Sequence, residues 1–442
     1  MKIISGFQDA KAILQRATLE FGEVPLEVKR RIKEAFAAEL TPEEAVGRII
    51  AAVRDKGDAA LLDFTKRIDG IELESLEVSK EECREACGKV DQELIAALNI
   101  TAERVRSFHQ VQLGHSLKEF MEGGLGQIVR PLERVGIYVP GGTACYPSTV
   151  LMTAIPARVA GVEEIILTTP PGDGGEVPPA TLVAADIAGV DRVFKVGGAQ
   201  AIAALAYGTE SIPRVDKVCG PGGLFVTLAK RMVYGAVDID GLYGPTETVI
   251  LADDSATPAH CAADLLAQAE HDLLAVAILI TTSSRLAQEV NREVARQLEG
   301  LERAQIARRS LEERGRIIVV ADMEQAIELI NLYAPEHLSL MVRDASSYIE
   351  KIRHAGAIFI GKNSPEVLGD YVAGPSHVMP TGGTARFSSP LGVGDFLKLT
   401  SIVSLSDGDV EALGPAAATI ARVEGLTAHA RAAELRLKKG GK

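Results

Sequence analysis

Apolar positions recur at helical spacing through roughly the first 120 residues, so hydrophobic side chains would share one helix face. Two segments add helix-start signals. Thr41-Pro42-Glu43-Glu44 has a capping threonine, a proline at the first helical position and a glutamate three residues after the cap, and Ser79-Lys80-Glu81-Glu82 repeats the spacing. The apolar residues of 45–64 continue the first signal at helical spacing. This part of the chain is predicted to be helical.

From residue 134 the pattern changes to short apolar runs, each ending in a turn rich in glycine or proline. Strands are predicted at 135–139, 164–168, 192–196 and 217–219, and a helical stretch follows each. This repetition is typical of a doubly wound parallel sheet. Because ligands of such sheets bind beyond the carboxyl ends of the strands, the glycine turns are candidate nucleotide-binding loops.

The alternation restarts after Gly244. Further strands are predicted at 248–251, 277–281, 316–320, 338–342 and 357–360. We therefore predict an α/β fold with two doubly wound, incomplete Rossmann-like parallel-sheet domains. The predicted divisions are a helical region 1–130 that packs on the second α/β domain, a first α/β domain 131–243, a second α/β domain 244–384 and a small helical tail 385–442.

Composition and charge exclude several classes of protein. The 442 residues are 47% hydrophobic and carry a net charge of -13. An acidic chain argues against nucleic acid or an anionic membrane as the main partner, since both attract basic surfaces. Five cysteines in so long a chain form no disulfide framework and suit a reducing cytosol. No apolar stretch predicts a signal peptide or a membrane span, so a cytoplasmic protein is expected.

Two familiar phosphate-binding signatures are incomplete. Gly220-Pro221-Gly222 begins like the dinucleotide fingerprint G-x-G-x-x-G, but Phe225 occupies its last glycine position. Residues 356–363 come one residue short of a P-loop, and Asn363 replaces the Ser or Thr that would bind magnesium. An NAD site in this chain would therefore be atypical.

Several polar residues lie where a metal or a proton-transfer site could form. Gln268 and His271 are three residues apart in a predicted helix, 262–271, so both could reach one ion. Glu336 and His337 follow Ala334-Pro335, and the proline keeps Ala334 out of helical geometry. The adjacent Glu and His would be two proton acceptors of different basicity on a tight turn.

Three further residues complete the set. Asp370 and His377 lie in a glycine-rich segment, and His429 follows Glu424 near a predicted helix start. Each residue alone also fits an ordinary surface turn or helix terminus. Together, one Gln, one Asp and two or three His suit a zinc ion that keeps positions open for a substrate.

These residues lie within runs that resemble the histidinol dehydrogenase family over nearly the whole chain. The matching runs are 135–142, 196–206, 264–272, 334–337, 369–374, 377–386 and 426–429. The resemblance implies a zinc- and NAD-dependent enzyme that oxidises L-histidinol through L-histidinal to L-histidine, the last step of histidine biosynthesis. It also implies an intertwined homodimer in which the tail histidine reaches the active site of the partner.

The resemblance also implies roles for individual residues. The implied zinc ligands are Gln268, His271, Asp370 and His429, which also contact the substrate. The implied acid/base pair is Glu336 and His337. The implied further substrate contacts are Thr246, His377 and Glu424, and the implied NAD contacts are Tyr138, Gln200 and position 223.

Four departures from the family pattern leave the substrate open. Gly223 stands where asparagine is usual, so one amide contact to NAD would be missing; Thr246 replaces serine, Ser376 replaces asparagine and Leu273 replaces proline. One alternative is a relative that oxidises another hydroxyl compound, such as a sulfonated or phosphorylated diol. Another is a non-catalytic protein that binds a metal or a nucleotide.

Overall fold

The computed structural model describes residues 1–16, 26–141 and 145–437. The chain divides into two units. The first holds Met1–Gly114 and Leu132–Phe396, and the second holds His115–Pro131 and the chain from Leu397 onward. Within the described ranges, no helix is both long enough and apolar enough to cross a lipid bilayer.

The described residues of the two units form the following strands and helices. The strands are β1 (Lys2–Ser5), β2 (Phe120–Glu122), β3 (Leu125–Pro131), β4 (Arg134–Tyr138), β5 (Glu164–Thr169), β6 (Arg192–Lys195), β7 (Lys217–Cys219), β8 (Asp238–Ile239), β9 (Glu247–Ala252), β10 (Val276–Thr281), β11 (Arg316–Val319), β12 (His337–Met341), β13 (Ala357–Ile360) and β14 (Leu397–Val403). The α-helices are α1 (Phe7–Leu14), α2 (Leu26–Phe36), α3 (Pro42–Lys56), α4 (Asp58–Phe64), α5 (Lys80–Gly88), α6 (Gln92–Gly114), α7 (Pro147–Ala160), α8 (Pro179–Ala188), α9 (Gly198–Tyr207), α10 (Leu224–Val233), α11 (Pro258–Ala269), α12 (Ser284–Leu298), α13 (Ala304–Glu313), α14 (Met323–Tyr333), α15 (Glu366–Leu368), α16 (Asp407–Val423) and α17 (Thr427–Leu437). Short π or 3₁₀ turns cover Thr65–Asp69, Ala345–Lys351, Gly369–Ala373, Thr384–Arg386 and Val393–Phe396.

A six-stranded parallel sheet runs in the order β1-β11-β10-β9-β12-β13. Alternate residues of its central strand β9 enter different cores: Ile250 and Ala252 pack with α11, α12 and α13, whereas Val249 and Leu251 pack with α1 and α14. Helices therefore cover both faces, which is why the strand sequences are almost wholly apolar.

A five-stranded parallel sheet runs in the order β6-β5-β4-β7-β8. Helices α9 and α10 pack on one face with α3 and α4, whose Val46, Ile49 and Phe64 join the same core as Phe194. The predicted α/β fold with parallel sheets is confirmed, and each predicted strand matches an observed one to within one residue at either end.

The N-terminal region differs from the sequence prediction in two respects. Residues Lys2–Ser5 form a strand that pairs with β11, so this region is not wholly helical. Its helices also divide between the sheets: α1 packs on the six-stranded sheet, while α3 and α4 pack on the five-stranded one. The apolar face of a helix shows that it is buried but not against which sheet. The four domain divisions stay a prediction.

The second unit combines a small antiparallel sheet with two helices. Strand β3 pairs with β14 on one side and β2 on the other. Helices α16 and α17 pack together around a small core of Ala418, Ala421 and Ala430. The predicted helical tail is therefore present, preceded by the strand β14.

Candidate active site

Glu336 and His337 lie in the turn between α14 and β12, and both are buried. Helix α14 ends because Pro335 excludes helical geometry at the residue before it, and Ala334 is left-handed with a φ of 53°. His337 is the first residue of β12 and pairs with Thr248 of β9 and Ala357 of β13. The pair therefore lies at the amino end of a central strand, where the ladder holds it on both sides.

Glu336 is held by two hydrogen bonds at one carboxylate oxygen. Its Oε2 accepts from the Thr246 hydroxyl at 2.7 Å and from the backbone N–H of Glu247 at 2.9 Å. Burial nevertheless raises the pKa of Glu336 to about 8. The neighbouring strand approaches closely: a Cβ at Gly356 would lie 2.6 Å from the Glu336 carbonyl oxygen. Glycine is therefore required at that position.

The two ring nitrogens of His337 have different partners. Nδ1 lies 3.2 Å from the backbone carbonyl oxygen of Glu247, which can only accept, so Nδ1 carries a proton. Nε2 faces the Oδ1 atom of Asp370, also at 3.2 Å. Burial opposes a charge on this ring, but the carboxylates of Glu366, Glu336 and Asp370 outweigh it and raise the pKa of His337. The ring is therefore protonated at both nitrogens, and Nε2 donates to Asp370; Nε2 is the ring nitrogen that is not bonded to the backbone.

Asp370 and His377 form the opposite wall. Asp370 lies on the π-helical turn Gly369–Ala373, and its backbone carbonyl accepts from Nδ1 of His377 at 2.8 Å. Nε2 of His377 is 3.2 Å from the Thr149 hydroxyl. Burial disfavours the charge of Asp370, but the hydrogen bond and positive charge of His337 hold its pKa below the usual range. Asp370 is therefore an ionised carboxylate suited to a cation.

Glu366 was missed by the sequence analysis. Its carboxylate joins His337 and Asp370 in a group whose potential ligand atoms all lie within 4.8 Å of one another. Glu366 is 2% exposed, burial raises its pKa to about 7, and Oε1 lies 3.9 Å from Nδ1 of His337. A signal existed: Glu366 precedes Asp370 by four residues, a spacing that places two side chains on one helix face.

Gln268 and His271 approach the same region from the end of α11. Helix α11 ends at Ala269, so His271 lies in the following turn and not on the predicted helix. Gln268 is fully buried, and neither atom of its amide has a hydrogen-bond partner among the described residues. His271 as a whole residue is exposed. Loss of hydration at its imidazole nevertheless lowers its pKa, and the charge of Asp370 acts in the opposite direction. An unpartnered buried amide, a neutral imidazole and a carboxylate fit a divalent ion.

The predicted NAD contacts lie at the carboxyl edge of the five-stranded sheet. Tyr138 ends β4, and its buried hydroxyl accepts from the backbone N–H of Gly198 at 3.2 Å. Gln200 in α9 is 1% exposed, and its Nε2 lacks a partner within the described residues. Gly223 precedes α10, and no atom of residues 1–16, 26–141 or 145–437 lies within 4 Å of the position where its Cβ would be. Gly142, at the end of the first matching run, lies outside the described residues.

Glu424 and His429 belong to the second unit. Glu424 follows the last turn of α16 and His429 lies on α17, and both side chains are exposed. The first unit thus brings together Thr246, His271, Glu336, His337, Asp370 and His377 through direct contacts or electrostatic interactions.

Comparison with known proteins shows the family. The family model described as histidinol dehydrogenase matches residues 33–437. The chain belongs to the histidinol dehydrogenase family. It is 53% identical to the histidinol dehydrogenase of Dehalococcoides mccartyi over 440 residues, which cover 99% of this chain and 100% of the relative. It is 52% identical to the Deinococcus radiodurans enzyme over 443 residues, with coverages of 99% and 100%.

A crystal structure of histidinol dehydrogenase from Elizabethkingia anophelis has the same fold. The TM-score is 0.90 at 35% sequence identity, and the match covers 99% of this chain and 98% of that one. The predicted histidinol dehydrogenase family and enzyme class, an oxidoreductase, are therefore confirmed. The roles of the individual residues stay predictions.

Proposed function

We propose that this chain oxidises L-histidinol through L-histidinal to L-histidine with Zn²⁺ and NAD. The observation that carries the proposal is the buried pair Glu336 and His337, in which Nε2 of His337 is bonded to the carboxylate of Asp370. Relatives more than half identical over the full chain are named for this reaction. An acid/base pair beside a candidate cation site is what oxidation of an amino alcohol requires.

The proposed ion would be held by Gln268, His271 and Asp370, with His429 of the partner subunit as the fourth ligand. A bound zinc ion supplies Lewis acidity and a grip on the nitrogen atoms of the substrate. The group of His337, Glu366 and Asp370 is less suitable as a ligand set. Because Nδ1 of His337 donates to Glu247, a metal bond would have to use Nε2 and would remove the base.

A cation bound to Asp370 would withdraw one of the charges that keep Nε2 of His337 protonated, and His337 would then accept the proton of the substrate hydroxyl at Nε2 in the first oxidation. Its position is fixed by the Nδ1 bond to Glu247 and by stacking on Phe359, whose ring centre is 5.8 Å away. Bound NAD would supply the hydride acceptor for each of the two oxidations. Glu336 then takes a proton from the water that adds to the aldehyde, and His337 assists. Glu336 and His337 are buried, which keeps bulk water from the intermediate.

NAD would bind at the glycine turns that follow β4, β6 and β7. The amide nitrogen of the buried Gln200 side chain has no partner in the part of the chain that the structure describes, and such a group gains most from a polar ligand. The turn at Gly198 is tight, since its φ is 63° and a Cβ there would lie 2.8 Å from Oε1 of Gln200. Backbone and amide donors are thus gathered at one edge of the sheet.

NADH release from purified enzyme tests the proposal. Two NADH per L-histidinol are expected, and chelation should abolish the activity until zinc or cobalt is added. A panel of other alcohols, including sulfonated and phosphorylated diols, is assayed in parallel, because the extra methyl of Thr246 could favour a different substrate. Zinc-loaded enzyme that turns over another alcohol but not L-histidinol would exclude the proposed substrate.

The proposed homodimer has a test of its own. His429→Ala is expected to lose activity because it removes one zinc ligand, and His337→Asn because it removes the base. If each active site takes His429 from the partner subunit, mixed dimers of the two variants contain one intact site and regain part of the activity. Verified subunit exchange without any recovery would show that the sites are not shared.

A further inference from the structure

Both catalytic residues are bonded to the backbone of a single residue, Glu247. Its N–H donates to Oε2 of Glu336 at 2.9 Å, and its carbonyl oxygen accepts from Nδ1 of His337 at 3.2 Å. Glu247 begins β9, where the neighbouring Thr248 is paired with His337 in the sheet. The place of this one residue therefore fixes the direction of the carboxylate and of the imidazole.

The side chain of Glu247 is anchored by Arg16 and Tyr333. Its carboxylate is 3% exposed, accepts from Arg16 at 2.7 Å and lies 3.3 Å from the Tyr333 hydroxyl. The Arg16 guanidinium also stacks on the Tyr333 ring, with 3.7 Å between them. Removing the arginine would leave a buried carboxylate without its cation, which costs far more than breaking an exposed ion pair.

The network of Arg16, Glu247 and Tyr333 is also joined covalently to the turn of residues 334–336, which we call the catalytic turn. Tyr333 is the last residue of α14 and directly precedes the left-handed Ala334, which leads into Pro335 and Glu336. Gly383 makes room for Arg16, since a Cβ there would lie 3.2 Å from the arginine Cδ. Arg16, Glu247 and Tyr333 thus hold the turn both at the end of α14 and at the start of β9.

We propose that Arg16, Glu247 and Tyr333 are positioning residues that orient Glu336 and His337 for proton transfer. The proposal rests on the proposed function for its kinetic readout. The side chains of Arg16, Glu247 and Tyr333 would act through the backbone of Glu247 and not on the substrate. Losing them should therefore lower kcat while the KM for NAD and the zinc content stay unchanged, because neither the glycine turns nor the proposed ligands are altered.

Arg16→Met is the principal test, and Lys11→Met is its matched control. Lys11 of α1 pairs with Glu328 of α14 at 2.8 Å, so the control breaks an exposed ion pair between the same parts of the chain. We expect kcat to fall about 10- to 100-fold for Arg16→Met, because small displacements of catalytic groups have effects of this size. Lys11→Met should retain the wild-type kcat, and Arg16→Lys should lie between the two.

A second measurement needs no turnover. Nitrogen NMR of the imidazole groups in substrate-free enzyme should report a protonated, hydrogen-bonded Nδ1 on His337 in the wild type and in Lys11→Met, and a weakened bond in Arg16→Met. If the wild type does not oxidise L-histidinol, the proposed function fails while this comparison still decides the positioning role. An unchanged signal together with an unchanged kcat in Arg16→Met would overturn the inference.

Folding of the variants is checked by thermal unfolding. Should Arg16→Met not fold, Arg16→Lys and Tyr333→Phe decide, because the first keeps a cation and the second removes only one hydroxyl. A kcat loss in both at wild-type zinc content supports positioning. Wild-type kcat in both, or losses that follow the zinc content, would contradict it.

Discussion

In the five-stranded sheet the candidate NAD-binding positions lie at the carboxyl ends of strands. In the six-stranded sheet the pair Glu336 and His337 lies at the amino end of a strand. Tyr138 ends β4 and Gly220 follows β7, so the glycine turns lie at the carboxyl edge. Glu247 begins β9 and His337 begins β12, so the acid/base pair lies at the amino edge. Two sheets of the same parallel class thus use opposite edges.

This difference suits what each site is proposed to do. A glycine turn beyond a strand leaves backbone donors open to a ligand that must enter and leave. Glu336 and His337 are buried and tied into the ladder between β9 and β13, which suits groups that must keep their places. The rule that ligands bind at carboxyl edges applies to the first sheet and does not locate the catalytic pair of the second.

The largest effect is expected at the amino edge, from His337→Asn. The variant removes Nε2 as a base, so kcat should fall by about 10²- to 10⁴-fold. The KM for NAD should change little, because the substitution lies in the other sheet. Rates of NADH formation at matched zinc content measure both constants. A variant with near-normal kcat would show that proton transfer does not use this residue.

The complementary change at the carboxyl edge is Gln200→Ala. Loss of the buried amide should raise the KM for NAD about tenfold, as expected for one lost hydrogen bond to a ligand. Here kcat and the KM for L-histidinol should remain close to normal. Initial rates over a range of NAD concentrations provide the measurement. An effect on kcat alone would contradict the separation of the two edges.

The buried Glu336 should make the stability of the folded protein depend on pH. Because burial raises the pKa of Glu336 from 4.5 to about 8, the folded protein binds a proton that the unfolded chain releases over this interval. Its stability contribution is complete below pH 4.5 and is lost as the pH rises towards 8. Metal-free wild type should therefore lose at least about 1 kcal/mol relative to Glu336→Gln between these limits.

Denaturant unfolding of both chelated proteins at several pH values measures this difference. If the stability difference between the two proteins does not depend on pH, burial does not raise the pKa of Glu336.

The smallest effect is expected from Gly223→Asn, which restores the residue usual in the family. The backbone of Gly223 is ordinary, with a φ of -69°, and none of the residues that the structure describes has an atom within 4 Å of a Cβ placed there. The new amide should lower the KM for NAD about two- to fivefold through one exposed hydrogen bond. A higher KM would indicate that the site has adapted to the absence of this side chain.

Local sequence patterns predicted the strands well because each is a short, nearly continuous apolar run. The predicted 357–360 matches β13, and 338–342 lies one residue beyond β12. The end of α14 followed from Pro335, which keeps Ala334 out of helical geometry, although the left-handed conformation of Ala334 was not predicted. These features depend on neighbours in sequence, which is the information that a single chain contains.

Long-range features were not accessible in the same way. Strand β1 was missed because its partner β11 lies about 300 residues later. Glu366 was missed because its importance comes from three charged groups that meet only in the folded chain. The network of Arg16, Glu247 and Tyr333 likewise depends on three distant segments.

The pairing of β1 with β11 also constrains the order of folding. Because Ile4 pairs with Ile318, the ribosome must deliver nearly three quarters of the polypeptide before that sheet edge can close. Contacts so distant in sequence slow folding. Arg16, which follows β1 and α1 in sequence, can reach Glu247 only after the start of β9 has been made. Because Glu336 and His337 lie later still, nascent chains would gain a competent catalytic turn only after about three quarters of the polypeptide has been synthesised.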